Sequence, residues 1–331
     1  MAKAKEITGL DCTADALECA GEVLRVRFEE VVESREAALD FSDIEGVHQM
    51  RVATRRLRSA LRDFLPLVKK RPLRGVRKTL KQIADALGAV RDEDVAILAL
   101  ENLQSAAEVD QIGEQIKEGI VKLLEERRAV REGAQTNLIE NLDADRLTKL
   151  HGDFTAALDQ AVGRKKQTRV VSFNEAGYEA VRASLEELCD LGASLYKPFD
   201  IEQLHEMRIA AKRLRYAVEL FTACWGASIA PFAVEIAEMQ SLLGEVHDCD
   251  VWLENLGERM HGKKRQHQND ASAAGDERQA AVWLMSEFIK NRTKNYRAAL
   301  KLWGDWETSD FTGRIRTIIQ TFRQPVSDNF L

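Results

Sequence analysis

Two segments of the sequence could do chemistry, because each presents a histidine and a row of arginines or lysines at helical spacing. The first runs over 48–64 and the second over 205–221, an offset of 157 residues. Nine of the 17 aligned positions are identical, and the alignment needs no gap. Guanidinium groups donate paired hydrogen bonds to phosphate oxygens, so both segments indicate anion binding.

On an α-helix, the first segment separates its cations from its apolar residues, which fall on the opposite face. The cationic face comprises His48, Arg51, Arg55, Arg58 and Arg62. Arg56 falls about 80° from His48 on the helix, off the centre of this face. A solvated helix usually interleaves Glu with Lys or Arg for mutual support, and this face does not. Because stacked like charges repel, the pattern favours an anion-binding face over an ordinary solvated surface.

The second segment carries a shorter face, because Glu219 stands where the first segment has Arg62. Its members are His205, Arg208, Lys212 and Arg215, with Tyr216 at the edge. More cations follow the first segment, in the connection and then on one face of the next helix: Lys69, Lys70, Arg74, Arg77, Lys78 and Lys81. A weaker candidate face, on a late helix, carries Lys290, Lys294, Arg297 and Lys301.

The positive charge is concentrated in one part of an acidic chain. Residues 48–81 contain twelve Lys or Arg and one acid, a charge of +11, whereas the net charge of the 331-residue chain is −6. The remaining residues therefore carry −6 − 11 = −17. This distribution predicts a local anion site and argues against a general affinity for duplex nucleic acid.

The two histidines allow several roles. A metal site would need ligands from both segments, because neither His48 nor His205 has a second His or a carboxylate at ligand spacing in its own helix. A structural role is a second alternative. We favour a third, in which each imidazole donates to a bound phosphate and gains charge when the anion binds. No metal ligand and no cofactor is predicted.

A second motif supports an internal duplication. Residues 87–95 match 243–251 at an offset of 156, with Leu-Gly-x-Val-x-Asp-x-Asp-Val in both. The paired motifs predict two halves, 10–162 and 171–322, joined by a basic linker over 163–170. The aspartates of this motif either orient arginines of the cationic faces or serve as local caps and surface partners.

The composition predicts helices throughout, since Ala, Leu, Glu, Arg and Lys dominate and no alternating strand pattern occurs. Ser42 and Asp200 are the predicted N-caps of the two repeated helices. The expected helices cover 13–39, 43–65, 72–103, 105–140, 144–160, 174–195, 201–225, 231–258, 276–303 and 307–322. A surface loop is expected over 261–275.

Several function classes lack support in the sequence. There is no phosphate-binding glycine loop, no dinucleotide fingerprint, no zinc-protease motif and no clustered carboxylates for Mg²⁺ near the cations, so no catalytic residue is predicted. Five scattered cysteines without a Cys-x-x-Cys pair indicate reduced thiols and a cytoplasmic location. The N-terminus does not resemble a signal peptide, and no apolar run reaches membrane-spanning length.

The two His-x-x-Arg-[Val/Ile]-x-x-[Arg/Lys]-Arg-Leu-Arg segments, each followed by the Leu-Gly-x-Val motif, resemble the CHAD family, the conserved histidine α-helical domain. The resemblance covers about 10–322. It implies an all-α fold of two helical bundles related by a pseudo-twofold axis, with a basic groove or pore lined by the repeated helices. The contacts that it implies are His48, Arg51, Arg55, Arg56, Arg58, His205, Arg208, Lys212, Arg213, Arg215 and Tyr216.

The resemblance also implies a function, the binding of inorganic polyphosphate, with polyphosphate-metabolising enzymes or granules as further partners. The residues fit independently, since a linear polyanion requires only a continuous row of cations. Three alternatives stay open: single-stranded nucleic acid, an enzyme acting on phosphate esters or inositol phosphates, and a scaffold. Nucleic acid is disfavoured because Phe64, on the apolar face, is the only aromatic residue between His48 and Lys81.

Overall fold

The computed structural model of the protein describes residues 5, 7, 9–109, 112–163, 170–262 and 271–321. Within these ranges the chain is helical, as the sequence predicts, and forms no strand beyond an isolated antiparallel bridge between Asp15 and Ser172. None of the helices in this part combines the length and apolar character that crossing a membrane requires. The linker residues 164–169 and the expected loop residues 263–270 lie outside the described ranges.

The described helices fall into two series, one before and one after residues 164–169. The first series is α1 Ala16–Glu33, α2 Arg35–Leu39, α3 Ile44–Phe64, α4 Arg74–Val109, α5 Glu114–Asn141 and α6 Ala144–Val162. The second series is α7 Phe173–Asp190, α8 Ile201–Leu220, α9 Thr222–Trp225, α10 Ala230–Gly262, α11 Ala271–Thr308 and α12 Phe311–Gln320. Two short 3₁₀ helices lie at Gly192–Tyr196 and Gly226–Ser228.

Several predicted boundaries are wrong. The helix expected over 13–39 is interrupted at Ser34, whose backbone N–H closes the end of α1. The helix expected over 72–103 continues to Val109, and α5 starts only after Gly113. In the second half, 261–262 and 271–275 are helical where a loop was expected, and α11 runs on to Thr308. Tertiary packing lengthens these helices beyond what local propensity indicates.

Acidic N-caps fix where the two repeated helices begin. Asp200 caps α8 as predicted, accepting from the Gln203 backbone N–H at 3.2 Å. The cap of α3 is Asp43 rather than Ser42, since Asp43 accepts from the Glu45 backbone N–H at 2.8 Å. Each carboxylate satisfies a backbone donor and complements the positive end of the helix dipole.

The two repeated helices pack against each other and belong to one continuous apolar core that reaches from α1 to α12. Phe64 at the end of α3 meets its counterpart Phe221 after α8, with ring centroids 5.8 Å apart. The helix starts of the two series also meet, because the Ala16 N–H donates to the Val171 carbonyl at 2.8 Å. The aromatic contact joins the ends of α3 and α8, and the backbone contact joins the starts of α1 and α7.

A second, smaller apolar cluster lies at the far ends of the four longest helices, α4, α5, α10 and α11. Trp252 stacks on Phe288 there, with ring centroids 5.0 Å apart, and Leu100, Leu123 and Leu284 are buried with them. Helix α5 contacts α11 across the two halves. This cluster holds the far ends of the four helices together, and the Arg127 guanidinium lies 4.8 Å from the Trp252 ring centroid there.

Candidate anion-binding site

A cleft lies where α3, α4 and α8 meet, and we call it the cationic cleft. Its volume is about 670 Å³, and Leu61, Leu80 and Ile209 contribute apolar wall. Its charged lining residues are Arg55, Arg58, Arg62, Arg74, Arg77, Lys78, Lys81, Lys212 and Arg213. The cleft therefore brings together the cationic faces of α3 and α8 with the row of cations on α4.

None of the described carboxylates lines the cationic cleft. Two of its nine cations have an acidic partner: Arg62 pairs with Asp63 at 2.6 Å, and Arg213 pairs with Glu187. Among the described residues, no carboxylate lies within ion-pair distance of the other seven. Seven uncompensated cations around one cleft repel each other, and a bound polyanion would relieve that repulsion.

A second cleft, of about 450 Å³, adjoins the first and shares Arg55, Arg58 and Lys212 with it. We call it the mixed cleft, because it also contains carboxylates. Its charged lining residues are Arg51, Arg55, Arg58, Asp85, Asp92, Arg208 and Lys212. Arg51 and Asp92 form a long ion pair of 3.8 Å. Carboxylates thus share the lining with the cations here, whereas none of the described carboxylates lines the cationic cleft.

Tyr216 joins the two repeated helices at the wall of the cationic cleft. The Arg55 guanidinium from α3 and the Arg215 guanidinium from α8 each lie 5.5 Å from the centroid of its ring. Both contacts have the geometry of a cation–π interaction. Only 6% of Tyr216 is exposed, so its ring holds Arg55 in place and is not available for stacking on a base.

Lys212 lies at the junction of the two clefts and is half-buried. Burial, followed by the charges of Arg55, Arg208, Arg51 and Arg58, lowers the pKa of its ammonium to about 7. The same two causes, burial first and then neighbouring cations, lower the pKa of Arg55. The contribution of the four arginines to the lowered pKa of Lys212 indicates that cations surround the junction.

The cations of α8 beyond Lys212 are largely neutralised by the protein itself. Arg215 is buried and donates through its Nε to Glu219 at 2.7 Å, and Arg213 pairs with Glu187 of α7. Arg215 was predicted to contact the anion, but it does not line either cleft. Its role in the structure is to support Tyr216 and the packing of α8.

The two histidines lie outside the lining of both clefts, and their surroundings differ. Burial and Arg91 lower the pKa of His48, whose Nδ1 is buried without a hydrogen-bond partner among the described residues. Burial and Arg208 lower the pKa of His205, and its Nδ1 lies 3.2 Å from Nδ1 of His247. His247 itself has a pKa of about 4, because it is buried and faces His205. All three imidazoles are therefore neutral at pH 7.

The two aspartates of each Leu-Gly-x-Val motif have different roles. The second aspartate is buried and ion-paired with an arginine of the next long helix: Asp94 with Arg131 at 2.6 Å, and Asp250 with Arg292 at 2.5 Å. The first aspartate of the first copy, Asp92, faces the mixed cleft. One motif therefore both anchors the long helices and places a carboxylate beside the cationic residues.

Three other predicted contacts also lie outside the lining of the clefts: Arg56, Lys69 and Lys70. The Lys69 backbone N–H donates to the Ala161 carbonyl at 3.0 Å, at the end of α6. Sequence reasoning missed Asp85 and Gln240, which line the mixed cleft. The helical period is the signal that could have found Asp85, which lies four residues after Lys81 on α4. Gln240 lies on α10, the corresponding helix of the second half.

No three His, Cys, Asp or Glu side chains converge as a metal site in the part of the chain that the structure describes. The arrangement of α3, α4 and α8 instead offers guanidinium and ammonium donors to a ligand with many negative oxygens. A ligand of this kind would gain hydrogen bonds from several arginines at once.

The family model of the CHAD domain matches residues 22–257, and the protein belongs to the CHAD family. The crystal structure of the CHAD domain from the plant Ricinus communis has the same fold, with a TM-score of 0.69 and 22% identity over 91% of this chain and 96% of that one. PptA from Streptomyces chartreusis is also similar, with a TM-score of 0.63 and 13% identity over 87% of this chain and all (100%) of that one.

The uncharacterized protein Rv2226 of Mycobacterium tuberculosis is 29% identical over 218 residues, which is 64% of this chain and 40% of the relative. An uncharacterized protein of a second strain, MT2285, matches over the same shares. The match thus spans about two fifths of the length of these relatives.

Proposed function

We propose that this protein binds inorganic polyphosphate without turning it over, and that the cationic cleft holds the chain. The observation that carries the proposal is that seven cations line the cleft without a carboxylate partner among the described residues. A linear polyanion of tetrahedral phosphates has no base or sugar to recognise, and dense positive charge is what it requires. Membership of the CHAD family supports the same ligand class.

The aromatic residues favour polyphosphate over single-stranded nucleic acid. A sequence-tolerant nucleic-acid groove exposes aromatic rings on which bases stack. The aromatic lining residue of the cationic cleft is Tyr216, which is buried between two guanidinium groups. The cleft therefore offers phosphate contacts and no stacking platform.

The clefts also lack the groups that phosphoryl transfer requires. Their carboxylates are Asp85 and Asp92, both in the mixed cleft, and Asp92 is engaged with Arg51. Phosphoryl transfer needs carboxylates arranged to hold Mg²⁺ beside the phosphates. A binding module that recruits polyphosphate-metabolising proteins, or that attaches to polyphosphate granules in the cytoplasm, is the role we propose.

Titration calorimetry tests the proposal directly. The protein is titrated with long-chain polyphosphate at two salt concentrations, with a single-stranded oligonucleotide of equal charge and inositol hexakisphosphate as competing ligands. We expect binding of polyphosphate that weakens as salt rises, by counterion release, and weaker binding of the oligonucleotide. Equal binding of the oligonucleotide would contradict polyphosphate selectivity, and preferential binding of inositol hexakisphosphate would indicate a compact rather than a linear ligand.

A further inference from the structure

Lys212 differs from the other lysines near the clefts. It is half-buried and lines both clefts, whereas Lys78 and Lys81 are exposed and line only the cationic cleft. Four arginines act on its amine: Arg51, Arg55 and Arg58 from α3, and Arg208 from its own helix. The carboxylates that face the same space, Asp85 and Asp92 from α4, lie beyond ion-pair distance of Nζ.

These surroundings disfavour the charged form of the amine. Like charges and burial both act against the ammonium, and no described carboxylate compensates for them. His205 lies on the same helix. Its pKa is lowered, and its imidazole adds no negative charge. Gln240 from α10 is neutral. Lys212 therefore spends a substantial fraction of its time as a free amine near pH 7, with its pKa at about 7.

A free amine beside four guanidinium groups is a nucleophile placed in a phosphate-binding pocket. We propose that Lys212 is a modification site that small acyl phosphates acylate, the arginines holding the phosphate group while the amine attacks the acyl carbon. This activity goes beyond polyphosphate binding and does not depend on it.

The step balances without any further reactant. The Nζ lone pair forms a bond to the acyl carbon, and the bond between that carbon and the phosphate oxygen breaks. The phosphate leaves with the electron pair, and the nitrogen releases one proton to water. Arginines that hold the phosphate also stabilise the negative charge that develops on the leaving group. The product is a neutral amide at the junction of the two clefts, and no redox change occurs.

Acylation would alter the site in two ways. It removes the ability of Lys212 to take up a proton and become a cation when a polyanion binds. It also adds an acyl group where the clefts join. We therefore expect the acylated protein to bind polyanions more weakly than the unmodified protein does.

The test is the rate of acetylation of each lysine by acetyl phosphate at pH 7.5, measured by peptide mass spectrometry on the full chain. We expect Lys212 to react about tenfold or more faster than Lys81, in the same cleft, and Lys149, exposed on α6. Inorganic phosphate in excess should slow Lys212 selectively. A Lys212 rate no higher than that of Lys81 and Lys149 would overturn the proposal.

Two further arms separate phosphate recognition from amine reactivity. The neutral reagent N-hydroxysuccinimidyl acetate should show a smaller preference for Lys212 than acetyl phosphate does; an equal preference would overturn the role of the arginines. Arg58→Gln, at an exposed side chain whose loss leaves the core intact, should slow acetylation of Lys212 by acetyl phosphate about threefold or more beyond its effect on the neutral reagent, and an equal effect on the two reagents would also contradict that role. Circular dichroism confirms that the variant is folded.

Discussion

The repeated helices α3 and α8 share a sequence pattern, but the helices that follow them differ in charge. Each repeated helix has paired arginines, Arg62 on α3 and Arg213 and Arg215 on α8, and each has cations without an acidic partner among the described residues. After α3, helix α4 continues the row with Arg74, Arg77, Lys78 and Lys81. At an offset of 156, the positions on α10 that correspond to the α4 cations are Ala230, Ala233, Val234 and Ala237.

This contrast shows that a repeated sequence motif does not produce the same charge distribution in the two halves. The first half supplies most of the uncompensated charge of the cationic cleft, whereas the second half supplies Lys212 and the buried support around Tyr216. Each paired arginine depends on its carboxylate partner: Asp63 and Glu219 lie within the two repeated segments, and Glu187 comes from α7. We therefore expect anion binding to depend unequally on the two halves.

The largest expected effect comes from reversing charge in the first half, which tests whether anion binding depends unequally on the two halves. The triple variant Arg58→Glu, Arg77→Glu and Lys81→Glu places three exposed carboxylates in the cationic cleft. We expect polyphosphate affinity to fall about 1,000-fold, because three phosphate contacts become repulsive. Titration calorimetry measures the change.

The matched control makes the same charge change on α11, at Lys294, Arg297 and Lys301, which are exposed in the weaker candidate face. Its affinity should change less than about threefold, by long-range electrostatics alone. Equal losses in the two variants would mean that net charge, and not the cleft, governs binding.

The buried aspartates are a point where the two halves should behave alike. Asp94→Asn and Asp250→Asn each remove a buried carboxylate and leave a half-buried arginine without its ion-pair partner. We expect each to lower the free energy of unfolding by about 3 kcal/mol, measured by urea denaturation. Asp92→Asn is the control, since Asp92 is exposed, and it should leave stability unchanged while raising polyanion affinity about twofold. A destabilised Asp92→Asn variant would contradict this assignment.

Arg215 tests whether an arginine that already has a carboxylate partner contributes to anion affinity. Arg215→Met removes the ion pair with Glu219 and the contact with the Tyr216 ring. We expect a loss of about 1–3 kcal/mol in unfolding free energy, and a polyphosphate affinity within about threefold of the parent. A large affinity loss at full stability would place Arg215 in the anion site after all.

The pH dependence of affinity should report Lys212. Its pKa in the free protein is lowered to about 7, and a bound phosphate raises it toward its ordinary value. Binding therefore takes up a proton above pH 7, and affinity falls by up to about tenfold per pH unit as the pH rises from there. Lys212→Arg should remove this dependence, since Arg stays charged. Calorimetry in buffers of different ionisation enthalpy counts the protons, and an unchanged slope in Lys212→Arg would refute the assignment.

The smallest expected effect comes from making the second half resemble the first. Val234 is exposed and corresponds to Lys78. Val234→Lys should raise polyphosphate affinity about twofold if the chain extends along α10. Val234→Gln is the matched neutral variant. An equal effect of Lys and Gln would show that the anion does not reach this position.

The helical fold and the cationic face of α3 could be predicted from the sequence, because both follow from a local period of 3.6 residues. The start of α8 at Asp200 is local in the same way. The pairing of Arg213 with Glu187 could not be predicted, because Glu187 lies on another helix and its approach depends on tertiary packing. The break at Ser34 and the extension of α4 to Val109 depend on packing as well.

The proposed polyphosphate site is the cationic cleft between α3, α4 and α8. The most direct test is a crystal structure of the protein with a polyphosphate of defined length. We predict phosphates within hydrogen-bond distance of Arg58, Arg77, Lys81 and Lys212. We predict no phosphate beside Asp92 in the mixed cleft, because that carboxylate repels the chain. Phosphates bound along Lys290, Lys294, Arg297 and Lys301 instead, with the cleft empty, would contradict the claim.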